Sequence, residues 1–332
     1  MNLNARLAAP GDLADCAKLF ENHRAYPSEL LQELPAIWLR LIREEAIRIC
    51  VFEDRDRPPG KRIVACGATV FVTDECAEHA RFRAEPYLAV RLLRQDAIGE
   101  KSILRSAEIG AANSGDGLNV VILHYAVKAN GYSDVERFAL AHKSVETFIA
   151  LLRGYNLKQM LQELCDEISP PFILDGLAQV LTDFSDYYRR TGVPAPPPGA
   201  RFYLAGITRE EAMAAPGRAI APIFAYTPPR FFFSPCERRL LDRALLGETD
   251  RQLAKSLERA LPTVKSLWRT IYNRVGMVDP ALLGNRRDAE RECQPTRGRE
   301  RRRRILEYLR QHPEELRPNT NAAATFARSR AS

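Results

Sequence analysis

The chain reads as a two-domain α+β protein, a mixed α/β domain followed by an all-α one. Three observations predict this. The runs RICVFED, RIVACGATVFVT and LNVVILHYAV are continuous apolar strands set among helical periodicities in the first two-thirds. VPAPPPGA, residues 193–200, then places four prolines in eight residues, stiff and extended. Beyond it, after one last short strand in RFYLAG, the strand patterns stop and short, densely capped helices follow. A length of 332 residues suits two domains with at least one sizeable core.

In order, GDLADCAKLF places Leu13, Cys16, Ala17 and Phe20 at helical spacing. PAIWLRLI starts a second helix, with Ile37, Trp38, Leu41 and Ile42 inward. RICVFED and RIVACGATVFVT form two strands around the turn RDRPPG, and the second is apolar on both faces, as a covered central strand would be. A helix near Tyr87 to Gln95 precedes NSGDG and the strand LNVVILHYAV. Helices are then expected over Val135 to Leu152 and Leu157 to Asp166, and in FILDGLAQVLTDF. This mixed, sandwich-like domain is taken as 1–190, and 191–230 as a Pro-rich linker with a short strand and helix.

Charge and cysteine usage narrow the classes. Lys and Arg number 49 against 42 Asp and Glu, an excess that permits a polyanion partner. It is concentrated late: Asn285 to Arg304 holds nine Arg against four acidic residues. Seven scattered cysteines without a CxxC pair argue against a disulfide framework or zinc ribbon, and for a reducing compartment. Cys76 and His79 are close enough for one ligand pair, but no second pair follows, so no metal is expected. The first residues lack a signal-like apolar stretch, and the longest uncharged runs fall short of a membrane span. The expected setting is cytoplasmic, without a membrane.

The last third carries the densest punctuation. Ser234-Pro235-Cys236-Glu237 is a capping box with Pro at the first helical position, and Gly247 supplies the stop. Thr249-Asp250-Arg251-Gln252 opens a second helix over Leu253, Ala254 and Leu257. In the third, TVKSLWRTIYNRV, Val264, Leu267, Trp268, Ile271 and Val275 share one face, opposite Lys265, Ser266, Arg269 and Asn273. The last two helices, joined by a tight turn, have helix-turn-helix spacing. In that geometry Lys265, Ser266 and Arg269 would meet base edges and phosphates and Thr263 the backbone, and Asn273 on the same face joins them as a candidate DNA contact.

From Phe233 to about Leu283 the chain resembles the DNA-binding domain of LuxR-type transcription regulators, through Glu237, Leu241, Gly247, Thr249, Ala254, Leu257, Thr263-Val264-Lys265, Ile271 and Tyr272. The resemblance implies a four-helix domain, taken as 231–284, whose Lys265, Ser266 and Arg269 positions enter the groove. Departures are Glu258 where a small residue begins the turn, Arg259 where an apolar one follows, and Ala260 at the N-cap. DPALLGN looks cut short by Gly284. A basic helical extension over 285–318 buries Ile305, Leu306 and Leu309, and its Arg301, Arg302, Arg303 and Arg304, with Arg251, are candidate phosphate contacts. Residues 319–332 read as a disordered tail.

The first domain is loosely similar to the GNAT acetyltransferase fold. Acetyltransferases of this type carry a basic, Gly-rich turn after the central strand, whose N–H groups cradle the cofactor pyrophosphate. VFVTDECAEHA, after the Ile63 to Thr73 strand, is acidic and lacks glycine. His124 reads as a core histidine, Trp38 and Tyr87 as helical core, and Asp183 and Asp186 as a helix end. No catalytic residue, cofactor or metal is assigned. The expected protein is therefore a non-enzymatic, sequence-specific transcription regulator. Its expected partners are double-stranded DNA, a small-molecule effector and a second copy as homodimer. The alternative is an acyl-CoA-dependent N-acyltransferase-like enzyme carrying an accessory DNA-binding domain.

Overall fold

The computed structural model describes residues 1–21, 25–83, 85–128, 131–165, 178–197, 202–284 and 294–320. The chain divides into two compact units: residues 1–152 with 156–224, and residues 153–155 with 225–332.

The first unit is built on a seven-stranded sheet of order β1-β2-β3-β4-β5-β7-β6. Its strands are β1 (Leu3–Leu7), β2 (Ile47–Asp54), β3 (Ile63–Val72), β4 (Leu118–Val127), β5 (Leu157–Cys165), β6 (Gln179–Thr182) and β7 (Phe202–Thr208). All neighbours pair antiparallel except β4 and β5, which run parallel. The helices are α1 (Leu13–Lys18), α2 (Ser28–Arg43), α3 (Asp74–Arg83), α4 (Leu88–Ala97), α5 (Ser106–Ser114), α6 (Asp134–Leu152), α7 (Ser185–Thr191) and α8 (Arg209–Ala214).

Burial on both faces explains why β3 is apolar throughout. On one face Ile49 and Val51 of β2, Cys66, Ala68 and Val70 of β3 and Val121 of β4 join Phe20, Leu34, Trp38, Leu88 and Leu92 in the main core. The opposite face gathers Cys50, Phe52, Val64 and Ala65 with Leu140 of α6. There a Cβ on Gly67 would stand 2.5 Å from Cζ of Phe148, so the missing side chain lets α6 lie close to β3. Buried Asp96 of α4 ties three elements together, accepting from Arg40 of α2 and, at 2.5 Å, from Arg105 just before α5.

Three sequence expectations are corrected here. Leu157 to Asp166 does not form a helix: Leu157 to Cys165 is β5. Its Leu157, Met160, Leu161 and Leu164 satisfy a helical period, yet the strand is flanked by β4 and β7 and buried on both sides. A short run apolar on both faces fits either state by period alone, and the ladders decide. FILDGLAQVLTDF does not continue as a helix through its second half, because Gln179–Thr182 pairs with β7; Phe172 to Leu177 lie outside the described residues. The segment 191–230 holds the short strand and helix expected of it, β7 and α8, but β7 lies inside the sheet and the first unit runs to Phe224.

The second unit is all-α: α9 (Pro235–Leu245), α10 (Asp250–Ser256), α11 (Leu261–Val278) and α12 (Gln294–Gln311). Both capping boxes form. Ser234 N–H donates to Glu237 at 2.7 Å and Thr249 N–H to Gln252 at 2.8 Å. Val264, Trp268, Ile271 and Val275 of α11 pack with Leu240 and Leu241 of α9 and with Ile305, Leu306 and Leu309 of α12, the faces their spacing predicts. Buried Glu237 pairs with Arg274 at 3.2 Å. Glu258 adopts a left-handed backbone, φ 52°, at the turn where the sequence lacks a small residue. The segment 153–155 belongs to this unit. Arg317 donates to the Arg153 carbonyl at 2.9 Å and stacks 4.8 Å over the Tyr155 ring, and Gly154, φ 83°, touches the backbone of Pro313 and Glu314.

No described helix is long and apolar enough to cross a membrane. No group of His, Cys, Asp and Glu suited to a metal ion occurs among the described residues, and Cys76 and His79 line a surface groove with Glu75 and Glu85.

Candidate active site in the β4–β5 wedge

The parallel ladder between β4 and β5 ends at the Ile122–Gln162 pair, although β4 runs on to Val127 and β5 to Cys165. Beyond that pair the strands part: β4 stays with β3 and β5 with β7. The wedge between them is a small pocket with about 50 Å³ of free space, open in part to solvent. Leu123, His124 and Tyr125 line it from β4, Gln162, Glu163 and Leu164 from β5, and Phe202 from β7. Phe20 and Tyr26 come from the α1–α2 connection, and Tyr87, Ala89 and Val90 from the start of α4.

A bulge aims the histidine. The β3–β4 register shifts between Ala68, opposite His124, and Thr69, opposite Ile122, so Leu123 is the extra residue. Without it the period of two would turn His124 to the α6 face. With it, the imidazole shares the main-core face with Tyr26 and Trp38. Their rings lie 5.3 Å and 5.5 Å from His124, and the Tyr26 hydroxyl is hydrogen-bonded to Nδ1.

Glu163 supplies the negative charge. Its carboxylate accepts the backbone N–H of Tyr87 at 2.6 Å and that of Leu88, so it caps α4 in the absence of a capping side chain there. Tyr87 takes a left-handed φ of 65° to reach that position. Burial pushes the Glu163 carboxyl up to about 7, against the opposing pull of the two N–H donors and of Arg91. Burial, then the Glu163 charge, holds the Tyr26 hydroxyl well above its ordinary value. Burial likewise lifts Tyr125 to about 12. A carboxylate that titrates near neutrality, in a cleft with aromatic walls, can take a proton from a bound group.

Next to the wedge, β4 leads through Lys128 and Gly131, φ 97°, into the N-terminus of α6. Ser133 and Glu136 form a capping box there, with Ser133 N–H donating to Glu136 at 3.0 Å.

The sequence-predicted DNA contacts lie in the second unit. Thr263, Lys265, Ser266, Arg269 and Asn273 are exposed along α11, and Arg251 is exposed on α10. The arginine run is not a row of unengaged cations. Arg302 pairs with Asp250 at 2.6 Å and covers Trp268, Arg303 pairs with Glu300 and Glu307, and Arg304 with Glu300. Carboxylates at i−3, i−4 and i+4 on one helix make such pairing the default.

Sequence reasoning did not find Glu163, because its segment was taken for a helix, nor the role of Tyr26. His124, Trp38 and Tyr87 were seen and assigned to the core. His124 and Trp38 are buried there, and His124 and Tyr87 also line the pocket. Asp186 sits exposed in α7, paired with Arg189.

No family model and no curated protein matches the chain. Solved structures do. Arabidopsis thaliana NAA60 in complex with acetyl-CoA is 15% identical over 62% of this chain and 98% of its own, with a TM-score of 0.32. Spermidine N-acetyltransferase from Vibrio cholerae is 14% identical over 62% and 93%, with a TM-score of 0.31. A manganese complex of spermidine/spermine N-acetyltransferase SpeG from the same organism is 14% identical over 64% and 95%, at 0.32. These likenesses reach 62–64% of this chain. These matches are acetyltransferases, and against them the expectations of a non-enzymatic protein, of a transcription regulator and of duplex DNA as partner are corrected. The LuxR-type resemblance finds no family model behind it. At such identities the likeness concerns fold alone, and the chemistry rests on this chain's residues.

Proposed function

We propose that the first unit transfers an acyl group from an acyl-CoA thioester to an amine nitrogen in the β4–β5 wedge. The observation that carries this is the parting of two parallel strands over a pocket that holds a carboxylate titrating near neutrality. Where β4 and β5 no longer pair with each other, their facing edges suit an extended, amide-bearing chain, which adds to a strand edge through main-chain hydrogen bonds. The residues fit acyl-CoA in this sense: Leu123 to Val127 of β4 would hold its amide-bearing arm. Lys128 and the N-terminus of α6 would hold its phosphates, as helix N-termini do.

Acyl-CoA, when bound, would supply an acyl carbon activated as a thioester: the amine nitrogen bonds to it as the C–S bond breaks, and the sulfur leaves as CoA thiolate and takes a proton from solvent. Glu163 accepts the proton that the nitrogen must shed, and it does so only when ionised, above about pH 7. Tyr26 holds the His124 ring in one orientation, and the rings of Phe20, Tyr87 and Phe202 keep water from the reacting atoms.

Purified protein incubated with acetyl-CoA and a panel of amines should release free thiol. Glu163→Gln should lower kcat by about 100-fold or more while leaving acetyl-CoA binding in place. Thiol release no faster than without protein, across the panel, would refute the reading.

A further inference from the structure

We propose that the wedge takes a compact primary monoamine as its acceptor, its single ammonium against Glu163 and its apolar body among Phe20, Tyr26, Tyr87 and Phe202, and that it discriminates against polyamines. This rests on the acyl-transfer reading for its place in the reaction, but the recognition stands on the pocket's own composition.

Among the described lining residues Glu163 is the one carboxylate, and no Lys or Arg accompanies it. An ionised carboxylate offers about four acceptor directions, and Tyr87 and Leu88 N–H use two. One ammonium can therefore join without displacing the α4 cap. Around it stand π faces: Phe20 and Tyr26 have ring centres 5.2 Å apart, and Tyr87 meets Phe202 edge-on at 5.3 Å. Rings so placed attract a cation and pack an apolar group, whether aromatic or branched. A second ammonium on the same ligand would leave water for a described wall that offers Gln162, His124 and tyrosine hydroxyls but no second counter-charge, which is unfavourable. The acidic residues Glu75 and Glu85 lie in the separate groove of α3 and α4, where Arg91 already pairs with Glu85 at 2.8 Å.

The test is calorimetric titration of the full chain at pH 8 with benzylamine, spermidine and benzyl alcohol, with and without saturating CoA. Benzylamine should bind at least tenfold more tightly than either of the others in at least one of the two conditions. Benzyl alcohol keeps the ring and lacks the charge; spermidine keeps the charge and multiplies it. A smaller preference over either ligand in both conditions, or no benzylamine binding, overturns the proposal. In Glu163→Gln, benzylamine affinity should fall at least tenfold and benzyl alcohol affinity less than twofold; retained benzylamine affinity overturns it as well. Should that variant fail to fold, the three-ligand comparison on the unaltered chain decides alone. The two readings fail separately. Monoamine binding without thiol release sinks acyl transfer, whereas transfer that favours spermidine sinks this proposal and leaves acyl transfer standing.

Discussion

Glu163 does two jobs with opposite demands. As the cap of α4 it gains from being charged, and as a group enclosed by aromatic rings it gains from being neutral. Burial wins, and the group titrates at about 7 instead of its ordinary 4.5. Because the folded value is the higher one, the folded state holds the extra proton between pH 4.5 and 7. Its stabilising effect is complete below 4.5 and is lost as pH rises through 7, on the order of 3 kcal/mol. Denaturant melts of the protein and of Glu163→Gln should therefore diverge with pH: the first loses stability from pH 5 to 8 relative to the second. Parallel curves would mean the carboxyl is solvated. The rate should move the other way, kcat rising through pH 7 as the base ionises. Glu258 offers a second single-residue test. A non-glycine residue in the left-handed region costs about 1 kcal/mol or more, so Glu258→Gly should raise the melting point of the second unit. A lowered melting point would show that the side chain contributes more than the backbone strain costs.

At the scale of elements, the acyl-transfer proposal assigns the α6 N-terminus the task of holding a phosphate-bearing donor. Asp134 and Glu136 place negative charge where a diphosphate would sit, and the Ser133–Glu136 capping box takes donors at the same end. Glu136→Gln retains an acceptor for the box and removes one charge. It should tighten acetyl-CoA binding about two- to fivefold, measured by titration. Unchanged affinity would put the phosphates elsewhere. Gly67→Ala tests how α6 seats on β3: its Cβ would meet Phe148, and overpacking there should cost about 1–3 kcal/mol. What the sequence disclosed follows the same physics. β2, β3 and β4 were legible from their apolar runs, and the inward face of α11 from its period. β5 was not, because Leu157, Met160, Leu161 and Leu164 fit a helical stripe as well as a strand covered on both sides. Losing β5 meant losing the parallel pair, and with it the wedge and Glu163. The bulge at Leu123 leaves no sequence signal either, so His124 could be placed in a core but not aimed into a pocket.

Over the whole molecule, the sequence showed two parts but not how they share the chain. A composition change near the prolines suggested a boundary at 191–230, yet β7 returns to the sheet after them and the first unit closes only at Phe224. The arginine run followed the same pattern. Its charge was plain in sequence, as were Glu300 and Glu307 on the same helix, while the pairing of Arg302 with Asp250 depended on α12 folding against α10. The second unit also draws on Arg153, Gly154 and Tyr155, read some seventy residues before the rest of it. Such a unit is not a cassette. A ribosome delivers those three residues early, and they wait through the synthesis of β5, β6 and β7 before Pro313, Glu314 and Arg317 exist to receive them. Their closure ranks among the late, long-range steps of folding. A fragment starting at residue 225 must do without the Arg317 stack on Tyr155, and should melt below the same unit in the intact chain. Excision and transplantation, the ordinary fate of a C-terminal helical module, would cut this one through its own packing.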